Sequence, residues 1–384
     1  MSEWKEYRLG DIADIKGGKR LPKGVNLVTT PNNHPYIRIR DFDSNKVLEL
    51  NNNFEYVDNE TQKLISRYIA NTDDILLSIV GTIGLVAKVG SSLNNANLTE
   101  NCVKINNLQV IDSDFLYYYL VSSDGQNKIK LGTVGAVQPK LPIKNISDIT
   151  IPVPSFETQH SIASFLSALD DKIAVNRRIC ENLEAQAQAL FKHWFIDFGP
   201  FKNGKFVESE LGMIPEGWRV GTLEELVDIK YGKDHKKLNE GNIPAYGSAG
   251  LMRTVDEKLY DGESVLIPRK GTLNNIMYVN EAFWTVDTMF YTIPKKSNIL
   301  KYLYMKLKRI DFNKMNVGTS IPSNSTSQLN KLKIVVPTDE ILSRFDGIMS
   351  SLLQEIMHSQ KESKSLATLR DTLLPKLMSG QIKV

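Results

Sequence analysis

The sequence predicts an internally duplicated α+β protein: two α/β domains, each followed by a long helix, with the two helices paired as a coiled coil. Three observations predict it. The opening run Trp4-Lys-Glu-Tyr-Arg-Leu9-Gly-Asp-Ile12-Ala-Asp14-Ile15-Lys16-Gly-Gly18-Lys19 recurs without a gap. Its second copy is Trp218-Arg-Val-Gly-Thr-Leu223-Glu-Glu-Leu226-Val-Asp228-Ile229-Lys230-Tyr-Gly232-Lys233, at an offset of 214. Shorter matches follow in the same order: Asp74-Ile-Leu-Leu77 with Ser264-Val-Leu-Ile267, Gly81-Thr82 with Gly271-Thr272, Gly132-Thr133 with Gly318-Thr319, and Ile151-Pro-Val-Pro154 with Ile334-Val-Val-Pro337. After those prolines the offset becomes 183 and stays fixed through two stretches whose apolar residues recur three and four apart.

Each half repeats one order of parts. The first domain spans residues 1–155. A Trp-led segment opens it, and β-rich runs such as Tyr36-Ile-Arg-Ile-Arg40 and Ile75-Leu-Leu-Ser-Ile-Val80 follow, punctuated by Gly and Asn. A helix over Asp114-Phe-Leu-Tyr-Tyr-Tyr-Leu120 precedes a short strand that stops at Pro154. Residues 156–197 form the first long helix. A turn-rich connector, 198–217, contains Phe198-Gly-Pro-Phe-Lys-Asn-Gly-Lys205 and leads to Trp218, which restarts the pattern. The second domain spans 218–337, with its helix over Leu300-Lys-Tyr-Leu-Tyr-Met-Lys-Leu307, and the second long helix closes the chain at 338–384.

The helical cores of those segments run over residues 157–195 and 339–378. Ile162, Leu166, Leu169, Ile173, Leu183 and Leu190 correspond to Phe345, Met349, Leu352, Ile356, Leu366 and Leu373, a narrow stripe rather than a broad core face. At 1.5 Å per residue each helix reaches about 55–60 Å and needs a partner along its length. The other copy is the natural one. Asn176 and Ser359 interrupt the two stripes at equivalent places, either fixing register or marking a solvated break. Periodicity does not give the direction of pairing, although a duplicated domain-plus-helix unit makes an antiparallel pair natural.

Composition excludes several classes. With 384 residues, 41% hydrophobic and 24% charged, the chain is an ordinary globular protein of two or three domains. It lacks the run of about 18 apolar residues that spans a membrane, and a signal pattern is missing from its start, so a cytoplasmic location is expected. Cys102 and Cys180 form no CxxC, and His34, His160, His193, His235 and His358 show no ligand spacing, so no metal is expected. Lys16-Gly-Gly-Lys19 is not a P-loop, and Gly81-Thr-Ile-Gly84 reads as a tight turn. Tyr246-Gly-Ser-Ala-Gly250 has tyrosine where a nucleophile elbow needs glycine. No catalytic constellation survives, and the chain reads as a binder and scaffold.

The net charge of +3 hides local excess. Lys16, Lys19, Arg20 and Lys23 precede Arg38 and Arg40 in the first domain. Lys230, Lys233, Lys236 and Lys237, with His235, open the second, and Arg253, Arg269 and Lys270 follow. Across residues 295–333, nine Lys/Arg face one acid, Asp311. Interleaved Asn, Ser, Thr and Tyr fit groove contacts, where guanidinium forks and amides read base edges while lysines hold phosphates. The candidate DNA-binding residues are Lys19, Arg20, Arg38 and Arg40 in the first domain. In the second they are Lys236, Lys237, Arg253, Arg269 and Lys270. A second reading stays open from charge alone: a non-catalytic coiled-coil adaptor whose heads bind a non-DNA ligand.

Several segments together resemble one family. They are Trp4-Lys-Glu-Tyr-Arg-Leu-Gly-Asp-Ile12, Pro35-Tyr-Ile-Arg-Ile-Arg-Asp41, Ile243-Pro-Ala-Tyr-Gly-Ser-Ala-Gly250, Gln138-Pro-Lys-Leu141 running into Ile149-Thr-Ile-Pro-Val-Pro154 and Gln159, the connector Leu211-Gly-Met-Ile-Pro-Glu-Gly-Trp218, and Leu373-Leu-Pro-Lys-Leu-Met-Ser-Gly380. In this order, and duplicated, they resemble the specificity subunits of type I restriction–modification systems over nearly the whole chain. The resemblance implies two target-recognition domains that bind duplex DNA, joined by an antiparallel coiled coil that acts as a ruler. It also implies two adenine-N6 methyltransferase subunits as partners and, for restriction, an ATP-dependent translocase–nuclease subunit. AdoMet, ATP and Mg²⁺ would belong to those partners, with no cofactor in this chain. The second copy departs from the pattern by lacking a counterpart of Gln159, which bears on whether the two methyltransferase docking surfaces are equivalent.

Overall fold

The structure is a computed structural model that describes residues 4–42, 45–314 and 323–383. The Gly318-Thr319 match lies outside the described residues. The chain divides into two compact units. Met1–Arg178 joins Ser359–Val384 in the first, and Ile179–His358 forms the second.

The first unit is built on a five-stranded sheet ordered Asp14–Gly17, Cys102–Asn106, Ile75–Ser78, Val86–Val89, Val47–Leu48. Beside it lies a three-stranded sheet of Tyr36–Ile37, Ala96–Leu98 and Ile69–Ala70. The second unit has a six-stranded sheet that opens in the equivalent order: Val227–Tyr231, Met289–Pro294, Tyr260–Pro268, Met277–Thr285. Hairpin Ile243–Gly247 and Gly250–Val255 completes it.

Register confirms the duplication strand by strand. Leu76, Leu77 and Ser78 pair with Lys104, Val103 and Cys102, while Leu266, Ile267 and Pro268 pair with Tyr291, Phe290 and Met289. Ile37 pairs in parallel with Leu98, and Tyr246 pairs in parallel with Thr285. Lys5–Arg8 lies antiparallel to Thr150–Val153, as Arg219–Thr222 does to Lys333–Val336. Strands buried on both faces, such as Ile75–Ser78, carry the continuous apolar runs that such burial demands.

One predicted strand is shorter than its pattern. Tyr36–Ile37 pairs, but Ile39–Asp41 turns into a 3₁₀ helix because the Asp41 carboxylate accepts the Arg38 N–H at 2.7 Å. Such a side-chain bond competes with the ladder for the backbone donor. The Tyr246-Gly-Ser-Ala-Gly250 run is the turn of a β-hairpin, with Gly247 paired to Gly250.

The long helices are Phe156–Phe195 and Asp339–Met378. Acids in their first turns and bases in their last turns complement the helix dipole. Within each unit the two pack antiparallel. In the first unit Asp170 meets Arg370 and Asn176 meets Glu362. In the second, the Cys180 thiol points at the Ile356 carbonyl and Phe191 packs on Phe345. Asn176 and Ser359 are both buried, so the solvated-break reading does not hold for either. Asn176 donates to Glu362 at 2.7 Å, the kind of buried polar contact that specifies register.

Candidate nucleic-acid interface

In the first unit, the candidates gather around the segment 97–100. Gly18 follows strand Asp14–Gly17, and a Cβ there would lie 2.0 Å from the Thr99 carbonyl oxygen, so only glycine lets the chain pass. Lys19 then donates its N–H to Leu98 at 2.8 Å and accepts the Tyr36 hydroxyl at 2.8 Å. Its ammonium is exposed and stands 5.4 Å from the Tyr68 ring centroid. The Arg20 guanidinium reaches Glu100 at 2.6 Å. Burial pushes the Glu100 carboxyl up, but Arg20 and local hydrogen bonds hold it below the usual carboxylate range.

Arg38 and Arg40 leave the adjoining strand and converge on one carboxylate. Both donate to Glu55 Oε2, Arg40 at 2.6 Å, and both flank Asp41. Burial pushes the Asp41 carboxyl up to about 6 against the pull of Arg40. Arg38 is the more covered of the two arginines and Arg40 is half exposed.

The second unit repeats the backbone device. A Cβ on Gly232 would lie 2.0 Å from the Val286 carbonyl, Lys233 donates its N–H to Thr285 at 2.9 Å, and Trp284 caps the Lys233 carbonyl at 3.1 Å. Beyond it, exposed Lys236 and Lys237 ride a loop whose His235 and Leu238 carbonyls accept Arg253 at 2.5 and 3.0 Å. Arg253 is therefore the anchor of the lysine loop. Arg269 donates to the Asp287 carbonyl at 3.1 Å and lies 5.6 Å from the Tyr231 ring centroid, while Lys270 is exposed beside it. Asn275 ties the next turn to the Ser248 carbonyl at 2.9 Å. The structure thus sets Arg269 and Lys270 on segment 284–288, the counterpart of 97–100, and Arg253 with the lysine loop just beyond Lys233, which bonds the same segment.

Sequence reasoning missed Glu55, Glu100, Tyr231 and Asp287. Their signal is weak because each partner is remote in sequence; Arg20 and Glu100 stand 80 residues apart. Gln159 has a structural role. It is fully buried, takes the Asp112 N–H at 2.7 Å and donates to the Val110 and Pro154 carbonyls. Its counterpart Leu342 is buried too, so this departure concerns a core position rather than an exposed surface.

Among the described residues no group of three or more His, Cys, Asp or Glu side chains is placed to hold a metal. Burial pushes the Cys102 thiol up to about 12, as expected of an inert core thiol. No helix among them is long and apolar enough to cross a membrane.

The sequence matches the type I restriction modification DNA specificity domain over residues 1–185 and 215–364. The chain belongs to the type I specificity-subunit family. Among curated relatives, the type I restriction enzyme MjaIX specificity subunit of Methanocaldococcus jannaschii is 26% identical, covering all of this chain and 94% of that protein. The HindI specificity subunit of Haemophilus influenzae is 24% identical with full coverage of both. The fold is that of the type I restriction–modification S subunit crystal structure from M. genitalium, with a TM-score of 0.62 and 22% identity over 97% of this chain and 96% of that one. The duplicated α+β architecture with long helices is the fold of specificity subunits.

Proposed function

We propose that this specificity subunit reads a two-part, asymmetric duplex DNA site, one half-site per unit, and performs no chemistry itself. The observation that carries this reading is the repeated anchor. Segments 97–100 and 284–288 hold equivalent glycines and lysines in equivalent register, yet the side chains presented around them differ. A common scaffold with different presented residues suits two different half-sites. The paired helices set the unspecified gap and dock two adenine-N6 methyltransferase subunits, with a translocase–nuclease subunit joining for restriction. AdoMet, ATP and Mg²⁺ act on those partners, and the assembly works in the cytoplasm.

The test is single-molecule sequencing of genomic adenine methylation with the gene present and deleted, beside its neighbouring methyltransferase. Loss of one motif with a specified block on each side of a gap is expected. Loss of a continuous or palindromic motif would overturn the two-half-site reading. An unchanged methylome in cells shown to make the subunit and its methyltransferase would overturn the specificity role.

A further inference from the structure

Taken without the long helices and the connector, the recognition domains of the two units carry their cations differently. Residues 1–155 hold 17 basic and 17 acidic side chains, a net charge of zero. Residues 218–337 hold 18 basic and 12 acidic, a net charge of +6. Ion pairing sharpens the contrast. Of the four first-unit candidates, three are already on carboxylates: Arg20 on Glu100, and Arg38 and Arg40 on Glu55. Among the described residues none of the five second-unit candidates is in direct ion-pair contact with a carboxylate, and only Arg253 feels one nearby, Asp256. Arg253 and Arg269 are held by neutral backbone carbonyls, and Lys236, Lys237 and Lys270 are exposed.

This difference has a direct physical consequence. Attraction to a phosphate backbone follows the number of cations that displace counterions from it, and a guanidinium already facing a carboxylate displaces few. A backbone carbonyl orients an arginine without cancelling its charge. Resting on the reading of the chain as a DNA-binding subunit, we propose that the two domains, residues 1–155 and 218–337, divide the work of binding. The second domain supplies most of the sequence-independent pull on phosphates. The first holds its arginines against its own carboxylates and adds base discrimination with little electrostatic attraction.

The division is tested with the full chain on a random-sequence duplex, by measuring Kd across about 50–200 mM salt. Lys236→Gln with Lys237→Gln should weaken binding and flatten the log–log salt slope by about two, one for each phosphate that is no longer neutralised. Glu55→Gln with Glu100→Gln should do the reverse, tightening binding and steepening the slope as the first-unit arginines are freed. A gain of affinity is not an outcome that misfolding produces. An unchanged slope in the lysine variant, or no tightening in the glutamine variant, would overturn the division of work. A wild-type chain whose duplex binding ignores salt would overturn the DNA reading itself.

Discussion

Gly18 and Gly232 show how much a missing side chain can decide. Each passes so close to a carbonyl oxygen that a methyl group forces the backbone apart. Gly232→Ala should destabilise the second unit by about 1–3 kcal/mol, the usual cost of overpacking, read by urea denaturation; a smaller shift would mean the strand simply slides. Arg269 is a fork set in advance by Tyr231 and the Asp287 carbonyl. If it reads a guanine, Arg269→Ala should cost about 1–3 kcal/mol at one base position and leave the others unchanged. Equal weakening on every sequence would make it a phosphate contact. Asp41 adds a pH dependence. Its folded pKa of about 6 is above the unfolded value of 3.8, so its contribution is fully present below the unfolded value and is lost as pH rises through about 6. Arg38, Arg40, Glu55 and Cys102 surround it. Asp41→Asn should remove that decline between about pH 4 and pH 7 in denaturation measurements; parallel curves for variant and wild type would refute the assignment.

At the scale of elements, Asp170 joins three helices of the first unit. It accepts the Tyr118 hydroxyl of helix Ser113–Val121 at 2.6 Å and the Arg370 guanidinium of the second long helix at 2.5 Å. Asp170→Ala leaves the Tyr118 hydroxyl without its charged acceptor and Arg370 with Asp371 alone, and should cost about 2–3 kcal/mol. A double-mutant cycle with Arg370→Ala should give a coupling of about 1 kcal/mol or more; additive losses would mean the pair is idle. Elements were the most legible level of the sequence. The 214 and 183 offsets follow backbone register, which tolerates few insertions, so the opening strands, the strands before Pro154 and Pro337 and the long helices could be read directly. The ion pairs of Arg20, Arg38 and Arg40 were not legible, because such contacts depend on which loops fold back together. Basic clusters therefore looked alike in both halves, although their electrostatic states differ.

For the whole molecule, the proposed function makes the units exchangeable and the helices adjustable. Replacing residues 1–155 with the first domain of another specificity subunit should alter one half of the methylated motif; a change in both halves would defeat the modular reading. Inserting two helical turns in register into both long helices adds about 10 Å to each. The unspecified gap should widen by about one to three base pairs at 3.4 Å per pair, and an unchanged gap would remove the ruler role.

The second unit is one uninterrupted stretch, Ile179–His358, set within the sequence of the first. On the ribosome it is therefore the earlier unit to be finished, although it begins later. The first unit waits for its last helical segment, since Ile162 and Leu166 share a core with Leu374, Leu377 and Met378. At about 5–20 residues per second, translating the intervening chain takes on the order of 10–40 s, during which that apolar face lacks its cover. A stalled or truncated chain ending near His358 should hold a protease-resistant second unit and a first unit dependent on chaperones. Ser359–Val384 would then act as the latch of the first unit's biosynthesis.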